Sequence, residues 1–119
     1  MSDIRLGEVE SKFADIIWNH EPLRPIELER LAEAELNWKR TTTLTILKRL
    51  CERGIFQNKN RVITSLISRE EFYALQSEKF VNDTFEGSLP AFLTAFGSRK
   101  KLSETEIEEL KKVIEGMRE

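Results

Sequence analysis

The sequence predicts a mostly α-helical chain interrupted by one small β-hairpin, and three observations predict it. Apolar residues recur at helical spacing along most of the chain, two short β-like runs follow Gly54, and "SREE" and "SETE" mark fresh helix starts beyond them.

In the first segment Leu6, Val9, Phe13, Ile16 and Ile17 form one stripe of an amphipathic helix that Asn19 to Pro22 ends. Pro25 suits the first position of a second, short helix with Ile26, Leu28, Leu31 and Ala32 as its apolar residues, although Arg24 and Leu23 are poor caps. The third helix starts near Arg40 or Thr41 and ends by Gly54, a residue favoured just past a helix C-terminus. Its expected buried face is Thr43, Ile46, Leu47 and Leu50, with Cys51 at the margin. At 100° per residue the opposite face holds Thr41, Thr45, Lys48 and Glu52, with Leu44 and Arg49 on its flanks. Threonine is a weak helix former, so the group Thr41, Thr42, Thr43 and Thr45 costs helix stability and points to a task for the hydroxyls.

After Gly54, "IFQN" and "RVITSLI" read as strands joined through "KN", where Asn60 tolerates positive φ; Lys59 and Arg61 stand at the hairpin tip. Ser68 to Glu71 is a capping box and Ile67 with Phe72 has the spacing of a hydrophobic staple, so a helix starts there and runs to about Glu86. A shorter helix follows Pro90 and stops at Gly97. Ser103 and Glu106 box the last one, Leu102 and Ile107 staple it, and Leu110, Ile114 and Met117 continue its stripe. The order α-α-α-β-β followed by helices is that of a winged helix-turn-helix at 1–69 with a helical domain at 70–119.

The 119 residues carry a net charge of −2, unevenly spread. Residues 1–36 hold four basic and nine acidic side chains, residues 37–61 seven and one, and residues 62–119 eight and eleven. One basic island, Lys39, Arg40, Lys48, Arg49, Arg53, Lys59 and Arg61, therefore sits between acidic segments, the pattern of a chain that binds a polyanion locally. A helix with outward threonines can enter a major groove, where hydroxyls bond base edges and apolar carbons touch thymine methyls; neighbouring Lys and Arg fix register on phosphates.

The tail holds Phe72, Tyr73, Leu75, Phe80, Val81, Phe85, Leu89, Phe92, Leu93 and Phe96, more large apolar groups than some fifty residues can bury unaided. Each buried Phe or Leu is worth about 1.5–3 kcal/mol, so a second copy is the expected cover, with Ile107, Leu110 and Ile114 joining that interface.

Other chemistries find little footing. The single Cys51 lies on an apolar helical face, so no disulfide framework or metal cluster is expected, and a cytoplasmic setting fits. The opening "MSDIRLGEVE" reads as no signal peptide, and no apolar run approaches a membrane span. His20 reads as a surface loop residue. Glu8 with Glu10, and Glu104, Glu106, Glu108 and Glu109, lack a convergent nucleophile or His, so helix-start and solvated-face roles suit them and neither an enzyme nor a cofactor is expected.

The chain resembles the penicillinase and methicillin-resistance repressors, the BlaI/MecI/CopY family of bacterial transcriptional regulators. The likeness lies in "IIW" ending the first helix, "W..TT..T.L.RL...G" across the third, the short wing, and the "LS..EIEEL" start of the last helix. It implies a homodimer with winged-helix reading heads and a helical dimerisation arm, repressing a resistance or stress operon through an inverted-repeat operator on double-stranded DNA. The reading positions carry over as Thr41, Thr42, Leu44 and Thr45 toward base edges, followed by Arg49 in the same motif; Lys48, on the outward face, joins the base-contact set. Lys39, Arg40, Arg49, Lys59 and Arg61 form the phosphate-contact set. Leu44 replaces a polar or basic residue common in such repressors, and the cysteine-rich C-terminus of the copper-responsive branch is missing. The penicillinase and methicillin repressors have an Asn–Phe bond cut on induction by a pathway that begins at a membrane sensor-protease; in ungapped register Ala95–Phe96 stands there. A winged helix used only to bind other proteins is the alternative, though it would not need threonines flanked by Lys and Arg.

Overall fold

Helices whose apolar stripes face one another, with a hairpin closing one side, build the first half of the chain. A computed structural model describes residues 6–119; Met1 to Arg5, at the start of the stretch read as carrying no signal peptide, lie outside the described residues. The elements are α1 (Glu8–His20), α2 (Pro25–Leu36), α3 (Arg40–Glu52), β1 (Phe56–Lys59), β2 (Val62–Ser65), α4 (Arg69–Phe85), α5 (Leu89–Arg99) and α6 (Glu104–Gly116). This mostly helical order with an antiparallel two-stranded hairpin is the winged helix expected from the sequence.

Two compact units result, one running to Ser77 and the other from Glu78, so that α4 crosses the division. In the first, Phe13, Ile16 and Ile17 of α1, Leu28 and Ala32 of α2, Leu47 and Leu50 of α3, and Ile55, Phe56 and Ile63 of the wing share one core. Leu23 joins it and pairs with Ile63 through two backbone bonds, Leu23 N–H to Ile63 O at 3.2 Å and Ile63 N–H to Leu23 O at 2.8 Å. Glu21 fastens the wing further, accepting from the Ser65 backbone N–H and hydroxyl, both at 2.8 Å.

Local differences from the sequence expectation have plain causes. Val9 lies at the right angle for the α1 stripe but in the first turn, where the stripe outruns the core, and it is exposed. Ile26 stands about 160° round α2 from the buried Leu28 and is also exposed. The hairpin turn is Asn60 and Arg61, at φ 55° and 61°, so the register moves by one residue from "KN" and Arg61 is a turn residue, not the start of a strand. Holding Arg61 in the left-handed region costs about 1–2 kcal/mol because its Cβ crowds the following carbonyl.

Phe72 corrects the expectation for the tail. It is 1% exposed within the first unit, packed at a tilt against Trp18 with ring centroids 5.6 Å apart, so its ring is not held out for a second copy. Ser68 caps α4 by accepting from Glu71 N–H at 3.1 Å, and Trp18 Nε1 donates to Ile67 O at 3.1 Å, which sets Phe72 against the core. Arg69 secures the same turn, its Nε 3.2 Å from Asp15 Oδ1 and its guanidinium over the Trp18 ring.

The second unit holds the end of α4, α5 and α6, and neither α5 nor α6 has a buried residue. Phe80, Phe85 and Phe92 meet edge to face at 5.6–6.1 Å, and Phe96 packs on Phe92 at 6.2 Å. Ser103 and Glu106 form the expected reciprocal cap of α6, with Glu106 N–H donating to Ser103 Oγ at 3.2 Å and Ser103 N–H to Glu106 Oε1 at 3.3 Å. Gly97, expected to end α5, instead lies inside it. Its φ is not positive, and the helical ladder continues to Lys100 N–H, which donates to Phe96 O at 3.0 Å.

Candidate nucleic-acid interface

Helix α3 presents two chemically distinct faces because its apolar residues recur every three or four positions. Thr43, Leu47 and Leu50 are buried, with Ile46 and Cys51 packed at the core margin, as the spacing requires. Thr43 belongs to this inner face. Its hydroxyl donates to Lys39 O at 3.1 Å, which satisfies a polar group that burial would otherwise penalise.

The remaining surface of α3 carries the residues expected to meet DNA. Thr41, Thr42, Thr45, Lys48 and Arg49 are exposed, Leu44 is half-buried on the flank, and Lys39 is the exposed N-cap residue. Thr41, Thr42 and Thr45 lie in the first two turns, the end of a recognition helix that meets base edges in helix-turn-helix proteins. Lys59 and Arg61 are exposed at the wing tip. Arg40, by contrast, is engaged within the protein, with its Nε 3.0 Å from Glu29 Oε1 on α2. Arg53 is drawn toward α1, 3.6 Å from Glu10. The island of seven cations is thus divided between an outward set and residues tied to acidic neighbours.

One further cation comes from outside the island. Arg24, the N-cap of α2, lines a groove with Pro25, Ile26, Glu29, Arg40 and Arg61. Charge counted by segment hides it, because its neighbours in sequence are acidic. Its place before Pro25 was the available signal, since a proline at the first helical position puts the preceding side chain at a helix entrance.

Other candidate chemistry stays structural. Burial pushes the Cys51 thiol up from its usual range, so the group is a neutral margin residue of the core and no activated nucleophile. His20 is exposed, with Nδ1 2.8 Å from Ile16 O. Among the described residues no cluster of His, Cys, Asp and Glu is arranged to hold a metal, and no helix is long and apolar enough to cross a membrane.

In the second unit, Phe80, Leu89, Phe96, Ile107 and Ile114 are 39–50% exposed, and Phe85, Phe92, Leu93 and Leu110 are half-buried. Phe92, Leu93, Phe96, Leu102, Leu110 and Val113 line an apolar groove between α5 and α6 with Glu106 and Glu109. Ala95–Phe96 lies within α5, four residues before its end.

A helix-turn-helix core with an outward basic and hydroxylated third helix and a cationic wing tip defines a protein of the winged-helix class. The penicillinase repressor family model matches residues 6–116, and the chain belongs to that family. It is 24% identical to the methicillin resistance regulatory protein MecI of Staphylococcus aureus (strain Mu50 / ATCC 700699) over 113 residues, covering 92% of each chain. It is also 24% identical to the penicillinase repressor of Bacillus licheniformis over 115 residues, 93% of this chain and 90% of that one. Members of this family are transcriptional regulators, not enzymes.

Proposed function

We propose that the chain is a dimeric transcriptional repressor that reads an inverted-repeat operator with α3 in the major groove and regulates a resistance or stress operon. The observation that carries this reading is the outer face of α3, where Thr41, Thr42, Thr45 and Lys48 stand exposed while the inner face is fully used by the core. Lys39, Arg49, Lys59 and Arg61 flank that face and supply phosphate contacts, and Arg40 joins them when it leaves Glu29. Dimerisation through the second unit is supported by helices α5 and α6, which have no fully buried residue within one chain.

Release follows either cleavage begun by a membrane sensor-protease or a partner signal. Cleavage at Ala95–Phe96 requires α5 to open, because a protease takes its substrate extended and this bond is helical. The test is an electrophoretic shift of the promoter fragment of the chain's own operon. A repressor gives a complex that survives excess nonspecific duplex and is lost as salt rises. A winged helix serving only protein partners gives no such complex, and that result would discard the proposal.

A further inference from the structure

Three elements bring an arginine each to one groove: Arg24 from the turn before α2, Arg40 from the start of α3, and Arg61 from the wing turn. Glu29 is the one acid among the described residues that line it, which leaves the groove about two positive charges in excess. That carboxylate is only 15% exposed and holds Arg40 at 3.0 Å, although the Arg40 side chain itself is 75% exposed. The groove is open and of about 540 Å³, room for a phosphate with its sugar, and guanidinium forks match phosphate oxygens in pairs. It also borders α3 and the wing, the two elements that present the outward cations.

We propose that this groove clasps one backbone phosphate of duplex DNA between Arg24, Arg61 and Arg40, and that Glu29 competes with that phosphate for Arg40. The inference rests on the repressor reading above. It adds Arg24, which lies in the acidic first segment, as a phosphate ligand, and it makes Glu29 an internal brake on affinity. A phosphate entering the groove meets Glu29 as a like charge, so binding must draw Arg40 off its carboxylate.

Fluorescence anisotropy with a labelled duplex of mixed sequence isolates the phosphate contacts, because these carry no base information. Arg24→Ala should weaken the mixed duplex and the promoter fragment by the same factor and make the log–log salt slope shallower by up to about 0.9, while Arg24→Lys, which keeps the charge without the fork, restores the slope but only part of the affinity. Glu29→Gln should tighten binding several-fold, about five times or more beyond the gain from Glu70→Gln, which makes the same charge change outside the groove. That extra gain should shrink in an Arg40→Ala background, where only the direct repulsion between Glu29 and the phosphate is left to relieve, the mark of competition for one partner. Unchanged affinity and slope in Arg24→Ala, while Lys48→Ala weakens binding, would overturn the clasp and leave the repressor reading standing. An equal gain from Glu29→Gln with and without Arg40 would overturn the competition. Failure of the unaltered protein to retain any duplex would remove both readings together.

Discussion

Thr43 and Thr45 are two positions apart on α3 and have opposite surroundings. Thr43 is fully buried with its hydroxyl bonded to Lys39 O, whereas Thr45 is exposed. Thr43→Val should therefore cost about 0.5–1.5 kcal/mol in urea denaturation and leave the ratio of operator to scrambled binding unchanged. Thr45→Ala should do the reverse. Alanine is the better helix former, so stability holds or rises slightly, while discrimination among related operators falls by about 1–3 kcal/mol if the hydroxyl meets a base. Binding curves on operator and scrambled duplexes check this, and an unchanged ratio would remove Thr45 from the reading set. Arg49 belongs to a third kind, since Arg49→Ala should weaken all sequences alike and reduce the salt slope by about 0.9 for the lost phosphate. Stability, specificity and salt dependence thus separate three side chains that lie within two turns of one helix.

At the scale of elements, Gly97 gives the sharpest test. It lies within α5 at a φ that is not positive, and a Cβ added there would meet nothing within 4 Å, so Gly97→Ala should raise stability by about 0.5–1 kcal/mol. Thermal unfolding followed by circular dichroism measures this, and a loss of stability would mean that Gly97 is the stop the sequence suggested. Gly54 differs in that its φ is +80°, so Gly54→Ala should cost about 1–2 kcal/mol despite equally open space. The two glycines show why some of the fold was legible in sequence and some was not. Ser68 and Ser103 announced their helices because a cap is a local device, made by residues three apart. The use of a glycine depends on whether the backbone bonds continue beyond it, and that is settled by packing. Phe72 was likewise read as surplus, since its pairing with Trp18, far earlier in the chain, leaves no mark in local spacing. The outer face of α3 was legible because one helix wheel fixes it, but Arg24 was not, because three elements distant in sequence bring the arginine groove together.

For the whole molecule, the division after Ser77 determines what a useful truncation is. The buried core runs from Phe13 to Phe72, so residues 1–77 retain all of it, together with Tyr73, whose hydroxyl reaches Asp15 Oδ1 at 3.3 Å. A fragment ending at Ile67 would lose Phe72 and expose Trp18, at a cost of about 3–5 kcal/mol, so its behaviour would report unfolding and not the loss of a partner. The 1–77 fragment should fold, sediment as a monomer and still bind a half-site. The intact chain should sediment as a dimer, and Ile114→Glu, at a position half exposed within one chain, should make it monomeric with its helical signal intact. Two heads joined by one tail make their second operator contact at high effective concentration, so both the fragment and Ile114→Glu should lose about 10²–10⁴ in apparent affinity for a two-fold operator. Neither should lose affinity for an isolated half-site, because no DNA contact has changed. If the intact chain is monomeric at micromolar concentration, or if the fragment holds the full operator as tightly as the intact chain does, the joint has no part in repression. Release would then have to act on the reading heads themselves, where the arginine groove and Glu29 offer the charge to be altered.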